Sequence, residues 1–148
     1  VKAANRVRVP LKIIGTGREF SKLKRLSGPT IEFLQNLTDD DLSRYYQDCT
    51  ALIFPGEEDF GLTILEAQSF GKPVIAYKAG GALEIVVDGK TGIFFYPQTV
   101  GGLVRALKSF AKRRFSSRAC IENAEHFSRQ KFKEEFLRFV EERTKKRI

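Results

Sequence analysis

Residues Phe54 to Gly71 read FPGEEDFGLTILEAQSFG. An apolar, β-branched run, Ala51 to Phe54, leads into Pro-Gly and three acids, and after Gly61 the spacing turns helical. A strand that feeds a helix through a short loop is half of a βαβ unit, and the rest of the chain repeats the pattern. Leu11 to Ile14, Ile31 to Leu34, Pro73 to Tyr77 and Thr91 to Phe95 are further short apolar runs, each interval leaving room for one helix. Such alternation forces parallel strands with helical crossovers, so the expected fold is α/β, a Rossmann-like open parallel sheet flanked by helices. Ligands of such sheets bind beyond the carboxyl ends of the strands, so functional residues are expected just after them.

Helix signals agree with this reading. Thr38 followed by Asp39, Asp40 and Asp41 is an N-cap with acids against the positive helix end, opening a helix to about Asp48. Thr99 caps a helix carrying Leu103, Leu107 and Phe110 on one face. C-terminal helices are expected over about 115–145, with Phe132, Phe136, Phe139 and Val140 as a stripe read as core. The chain of 148 residues is about one domain's worth, 1–148.

Composition narrows the class. No apolar run approaches the length needed to span a bilayer. Cys49 and Cys120 form no CxxC pair and no disulfide framework, so both read as buried thiols and a cytoplasmic setting is expected. The chain carries no methionine and begins at Val1, which fits a part of a longer protein. The net charge of +8 is segregated: residues 1–104 hold 12 basic and 12 acidic side chains, residues 105–148 hold 14 and 6. A basic stretch of this kind is usually a solvated helix face. No nucleic-acid recognition motif accompanies it, so a nucleic-acid partner is not expected. The basic tail, Arg138 to Arg147, is expected to meet either a partner lobe or an anionic membrane surface. The lone His126 reads as an ordinary helix residue rather than a ligand.

Four glycine or acid motifs follow the strands. Gly15-Thr16-Gly17 lacks the third glycine of a dinucleotide fingerprint, since Phe20 stands there, which disfavours a dehydrogenase. It reads equally as a plain turn or as a place where backbone approaches a ligand. In Glu57-Glu58-Asp59, three consecutive carboxylates need open solvent or hydrogen-bonding partners such as sugar hydroxyls. Gly61 frees the backbone to aim amides at an anion on the following helix's positive end, a combination that suits a phosphorylated sugar. Glu66, eight residues after Glu58, lies among Ile64, Leu65 and Ala67, company in which a carboxylate needs a partner. Ala79-Gly80-Gly81 reads as a second nest of free amides. Asp88-Gly89-Lys90-Thr91-Gly92 reads as a structural turn.

Glu58 to Glu66, in the form E-x-FGL-x-x-LEA, resembles the retaining GT-B glycosyltransferases of group 1 (family 4), related to mannosyltransferases and to sucrose and glycogen synthases. IIGTG, GKPVIAY, AGGALEIV, DGKTGIFF and YPQTV match in order, over about 1 to 140. The resemblance implies the nucleotide-sugar donor-binding lobe of a two-lobed hexosyltransferase. Glu58 is implied as the catalytic carboxylate, on the donor sugar's hydroxyls. The backbone of Phe60, Gly61 and Leu62, with Thr63, would meet sugar and diphosphate. Glu66 would take the ribose hydroxyls, Gly15 and Gly17 would line the diphosphate side, and Phe33 and Leu34 would frame the base. No metal or cofactor is implied, only a GDP- or UDP-linked sugar as substrate, an N-terminal acceptor-binding lobe as partner, and a glycan or lipid-linked acceptor.

The chain departs from the family at Asp59 and Arg18, where proline is common, and at Gln35, where glycine is common. The family's donor lobe also opens with a strand ending in an Arg and Lys pair that clamps the diphosphate. Here the first residues read instead as the helix that follows such a strand. The rival reading is a non-catalytic nucleotide-sugar-binding or assembly module.

Overall fold

The computed structural model describes residues 1–145. Helix α1 (Lys2–Val7) opens the chain and is followed by β1 (Leu11–Ile14), α2 (Phe20–Arg25), β2 (Ile31–Leu34), α3 (Asp39–Asp48) and β3 (Leu52–Phe54). Then come α4 (Leu62–Ser69), β4 (Val74–Tyr77), α5 (Ala82–Ile85), β5 (Gly92–Phe95), α6 (Val100–Phe110), α7 (Ser117–Glu125) and α8 (Arg129–Lys145). All five expected strands form, within a residue of the expected bounds, and every pairing is parallel.

The sheet is divided: β1 pairs with β2, while β3, β4 and β5 form a separate ladder in that order. The triplet carries the core. On one face Phe54, Ile64, Ala67, Val74, Ala76, Ala82, Ile85 and Val86 pack together, and on the other Ile75, Ile93, Phe95 and Ala106. Removing a large side chain such as Ile64 or Ile75 from water contributes about 1.5–3 kcal/mol. Leu103, Leu107 and Phe110 of α6 close over the second face, as their spacing predicts. The pair is less covered: in β1 and β2 no residue is fully buried, and Ile14 is 41% exposed. Parallel strands are ordinarily buried on both faces.

Two polar side chains, Gln68 and Thr91, are buried in the apolar interior, and the half-buried Asn123 joins them. The Gln68 amide donates to Thr91 Oγ1 at 3.2 Å and its carbonyl accepts from Asn123 Nδ2 at 2.7 Å, while Thr91 Oγ1 also accepts from the Val87 amide at 2.9 Å. The network ties α4 to α7 and to the turn before β5, and it gives Asp88–Gly92 the structural role expected of it.

Two expectations are corrected. The stripe of Phe132, Phe136, Phe139 and Val140 is not core: these side chains are exposed, Phe132 at 67%. Periodicity identifies the apolar face of α8, but a core also needs an element opposite, and none of the described elements packs along α8. Of the two thiols, Cys120 is buried and Cys49 only half-buried; burial pushes both above their ordinary pKa. Of the basic tail, Lys146 and Arg147 lie outside the described residues.

Candidate functional site

The β3–α4 connection is built from close backbone contacts. After Phe54 the chain leaves the core, and Glu57, Glu58, Asp59 and Phe60 are all exposed. Mutual repulsion of three carboxylates is relieved by open water. The loop nevertheless has a fixed backbone, because Gly80 and Gly81 press against it. The Gly81 amide donates to the Glu58 carbonyl at 2.8 Å. A Cβ at Gly80 would stand 2.5 Å from the Glu58 carbonyl oxygen, and one at Gly81 would stand 2.4 Å from that of Asp59. Gln98 adds a second brace, its amide donating to the Pro55 carbonyl at 2.9 Å.

This corrects the second anion nest. The Gly81 amide serves Glu58, and those of Ala79, Leu83 and Glu84 donate to Tyr77, Gly80 and Gly81 within the same turn. Ala79–Gly81 is a buttress for the acidic loop. Sequence reading saw the small residues but could not see that the close neighbour is protein rather than ligand.

Gly61 then enters α4 with φ 67° and ψ 42°, a left-handed conformation that glycine adopts without steric cost. No side chain caps α4; the Ile64 amide donates to the Gly61 carbonyl at 2.9 Å, and among the described residues the amides of Leu62 and Thr63 have no such partner. With the helix dipole they present partial positive charge to a ligand. Leu62 and Thr63 are exposed at this end, and Phe60 beside it is 78% exposed, placing an apolar ring at the lip.

Glu66 lies one turn further along α4 and is exposed, while its neighbours Ile64 and Ala67 are buried. The partner expected of such a carboxylate exists: Tyr46 Oη donates to Glu66 Oε2 at 2.9 Å. Burial, and then the bond to Glu66, push the Tyr46 phenol well above its ordinary pKa, so it is a donor at any physiological pH. Nothing in the sequence pattern of α3 distinguished Tyr46 from Tyr45, which instead lies under the Lys12 ammonium of β1 at 5.2 Å.

The remaining candidates gather at the ends of β1 and β2. Gly15 has φ 130° and its amide donates to the Leu34 carbonyl at 3.0 Å, so Gly15 and Leu34 are neighbours. A Cβ at Gly15 or Gly17 would meet nothing within 4 Å, so this turn faces open space. Phe33 is half-buried and meets Phe20 edge-on, centroids 5.3 Å apart. Two groups thus stand at carboxyl strand ends, Gly15 and Gly17 after β1 with Phe33 and Leu34 closing β2, and Glu58 to Glu66 after β3. Helix α3 touches both halves, through Tyr45 to β1 and Tyr46 to α4. Among the described residues no group of three His, Cys, Asp or Glu side chains could hold a metal ion.

The fold and the site thus define a parallel α/β unit with glycine turns and a carboxylate-bearing strand-to-helix loop at the carboxyl ends of its strands, and comparison with known proteins gives its family. Residues 1–127 match the family described as glycosyl transferases group 1, and the chain belongs to that family. It is 36% identical over 104 residues to the sulfoquinovosyl transferase of Arabidopsis thaliana, covering 67% of this chain and 20% of that protein. It is 30% identical over 142 residues to the O-antigen chain mannosyltransferase C of Escherichia coli, covering 90% and 37% respectively. Anabaena HepE, solved in complex with UDP, is 25% identical and superposes with a TM-score of 0.63 over 83% of this chain and 36% of its own. The chain thus spans well under half the length of these relatives. No helix among the described residues is long and apolar enough to cross a membrane.

Proposed function

We propose that this chain is the donor-binding half of a retaining glycosyltransferase that moves a hexose from a nucleotide-diphosphate sugar to a glycan or lipid-linked acceptor. The observation that carries the reading is the β3–α4 connection: an exposed carboxylate, Glu58, on a backbone held by Gly81, an uncapped helix end, and a second carboxylate, Glu66, one turn on. Glu58 hydrogen-bonds hydroxyls of the donor sugar. The first-turn amides of α4, with the backbone of Phe60, Gly61 and Leu62 and the Thr63 hydroxyl, face the diphosphate, and Glu66 takes the ribose hydroxyls. Gly15 and Gly17 leave the diphosphate side open, and Phe33 and Leu34 flank the base. Bond cleavage leaves negative charge on the departing diphosphate, and oriented amides stabilise it without an acid–base pair in this lobe.

The names of the relatives, a mannosyl and a sulfoquinovosyl transferase, support a hexose-type donor. The HepE complex supports a pyrimidine nucleoside diphosphate beside the GDP alternative. An acceptor-binding lobe completes the enzyme, and the division of the sheet supports a further parallel strand that joins its two parts, the strand for which the resemblance implies an Arg and Lys pair. The exposed aromatic face of α8 with its basic neighbours supports contact with that lobe or with an anionic membrane.

The test is binding of GDP, UDP, ADP and their sugars to the full-length protein and to Glu66→Ala, by thermal shift and calorimetry. Wild type is expected to select one nucleoside diphosphate. Glu66→Ala should weaken it about 10- to 100-fold, the range for hydrogen bonds to a charged group. Equal affinity in both proteins removes Glu66 from the site and with it this reading.

A further inference from the structure

A surface carboxylate that must take two ribose hydroxyls is a poor ligand if it is free to rotate, because each binding event then has to order it. Glu66 is on the surface, yet it is not free. Its Oε2 accepts from Tyr46 Oη at 2.9 Å, while Oε1 has no hydrogen-bond partner among the described residues.

Tyr46 is itself held from several directions. Its ring stacks on Phe70, centroids 5.4 Å apart and planes 14° from parallel. Phe70 is the C-cap of α4, four residues after Glu66, so the ring is referenced to the same helix that carries the carboxylate. Tyr46 also packs on the buried cluster of Phe54, Ile64 and Ala67, at the start of the β3–α4 connection. At the other end of α3, Thr38 and Asp41 form a reciprocal cap that fixes where the helix begins. The phenol oxygen is thereby placed by packing, not by the carboxylate it meets.

We propose that Tyr46 is a positioning residue for nucleotide binding: it occupies Glu66 Oε2 and so fixes the carboxylate with Oε1 left to accept the ribose hydroxyls of the donor. The inference rests on the reading that Glu66 binds the ribose. Since Tyr46 stays protonated throughout the physiological range, it supplies a constant donor. A tyrosine that merely tethered α3 to α4 would stabilise the fold but would not alter how the protein distinguishes a ribose from a sugar without its hydroxyls.

Tyr46→Phe keeps the stack on Phe70 and removes only the hydroxyl. In the full-length protein, the affinities of wild type, Tyr46→Phe, Glu66→Ala and the double variant are measured by calorimetry for UDP and 2′,3′-dideoxy-UDP, or the GDP pair if wild type binds GDP. Tyr46→Phe is expected to weaken the ribonucleotide about fivefold, the worth of one ordinary hydrogen bond, and to leave the dideoxynucleotide unchanged. In the Glu66→Ala background the same substitution should have no further effect on either ligand. If Glu66→Ala abolishes ribose discrimination while Tyr46→Phe preserves it in full, the positioning role is overturned and the Glu66 reading stands. If Glu66→Ala itself leaves the discrimination intact, the ribose reading falls and the role of Tyr46 with it.

Discussion

Gly17 and Gly81 are both glycines at strand-to-helix turns, and their surroundings separate two reasons for a glycine. At Gly81 a methyl would enter the Asp59 carbonyl at 2.4 Å, backbone against backbone, so neither side can yield cheaply. Gly81→Ala should displace the acidic loop, lower stability by about 1–3 kcal/mol and weaken sugar-nucleotide binding, read as a fall in Tm together with a loss of affinity. At Gly17 a methyl meets nothing within 4 Å, and no positive φ demands glycine. Gly17→Ala should leave stability within about 0.5 kcal/mol of wild type, as surface substitutions do, so any loss of nucleotide affinity there reports a methyl that meets the ligand. In the sequence these positions looked alike. What distinguishes them is the approach of Glu58 and Asp59 from another part of the chain, which no local pattern encodes. The partner of Glu66 was likewise inferable as a need, from its apolar neighbours, but not as Tyr46.

Among the elements, α3 shows how far local chemistry reaches. Thr38 Oγ1 accepts from the Asp41 amide at 3.1 Å and the Asp41 carboxylate accepts from the Thr38 amide at 3.2 Å, the reciprocal box that a threonine three residues before an acid suggests. Thr38→Ala should destabilise the protein by about 1 kcal/mol near neutral pH, measured by denaturant titration. The hydrogen bonds from Thr38, side chain first and then backbone, hold the Asp41 carboxyl below its ordinary 3.8. A depressed folded-state pKa contributes stability that is present above the unfolded value and lost as pH falls through the folded one. The Thr38→Ala deficit should therefore be full at pH 7 and shrink on acidification below the ordinary carboxylate range; a deficit that grows in acid would contradict the box. The strands were legible for a similar reason, being short β-branched runs bounded by Gly, Pro and charges. Their division into a pair and a triplet was not, because alternation dictates parallel neighbours without dictating which strands are neighbours.

The whole molecule is uneven in how well its apolar surface is covered. The β3–β5 ladder with α4 to α7 holds most of the fully buried side chains and the Gln68–Thr91–Asn123 network. Helix α8 exposes Phe132, Phe136, Leu137, Phe139 and Val140, and none of the described elements packs along it. Helices in proteins owe most of their stability to packing of an apolar face, which α8 lacks among the described elements. Local support is modest: the Lys131–Glu134 ion pair and the Arg143 guanidinium over the Phe139 ring are both on the surface. In the isolated 148-residue chain α8 should therefore open far more readily than the core, and limited trypsin digestion should cut first at Lys131, Lys133, Arg138 or Arg143 while residues from α4 through α7 persist as one fragment. Phe136→Ser should leave the cleavage rate of the isolated chain nearly unchanged, since its ring meets little but its neighbour Phe132. In the full-length protein the same sites should be protected if a second lobe covers the stripe, and Phe136→Ser should then expose them; equal cleavage of both full-length proteins would place the face of α8 in solvent or on a membrane instead. On the proposed two-lobed reading, the isolated chain should also bind nucleoside diphosphate only weakly and transfer no sugar. Robust turnover by these 148 residues would contradict the two-lobed reading at its root.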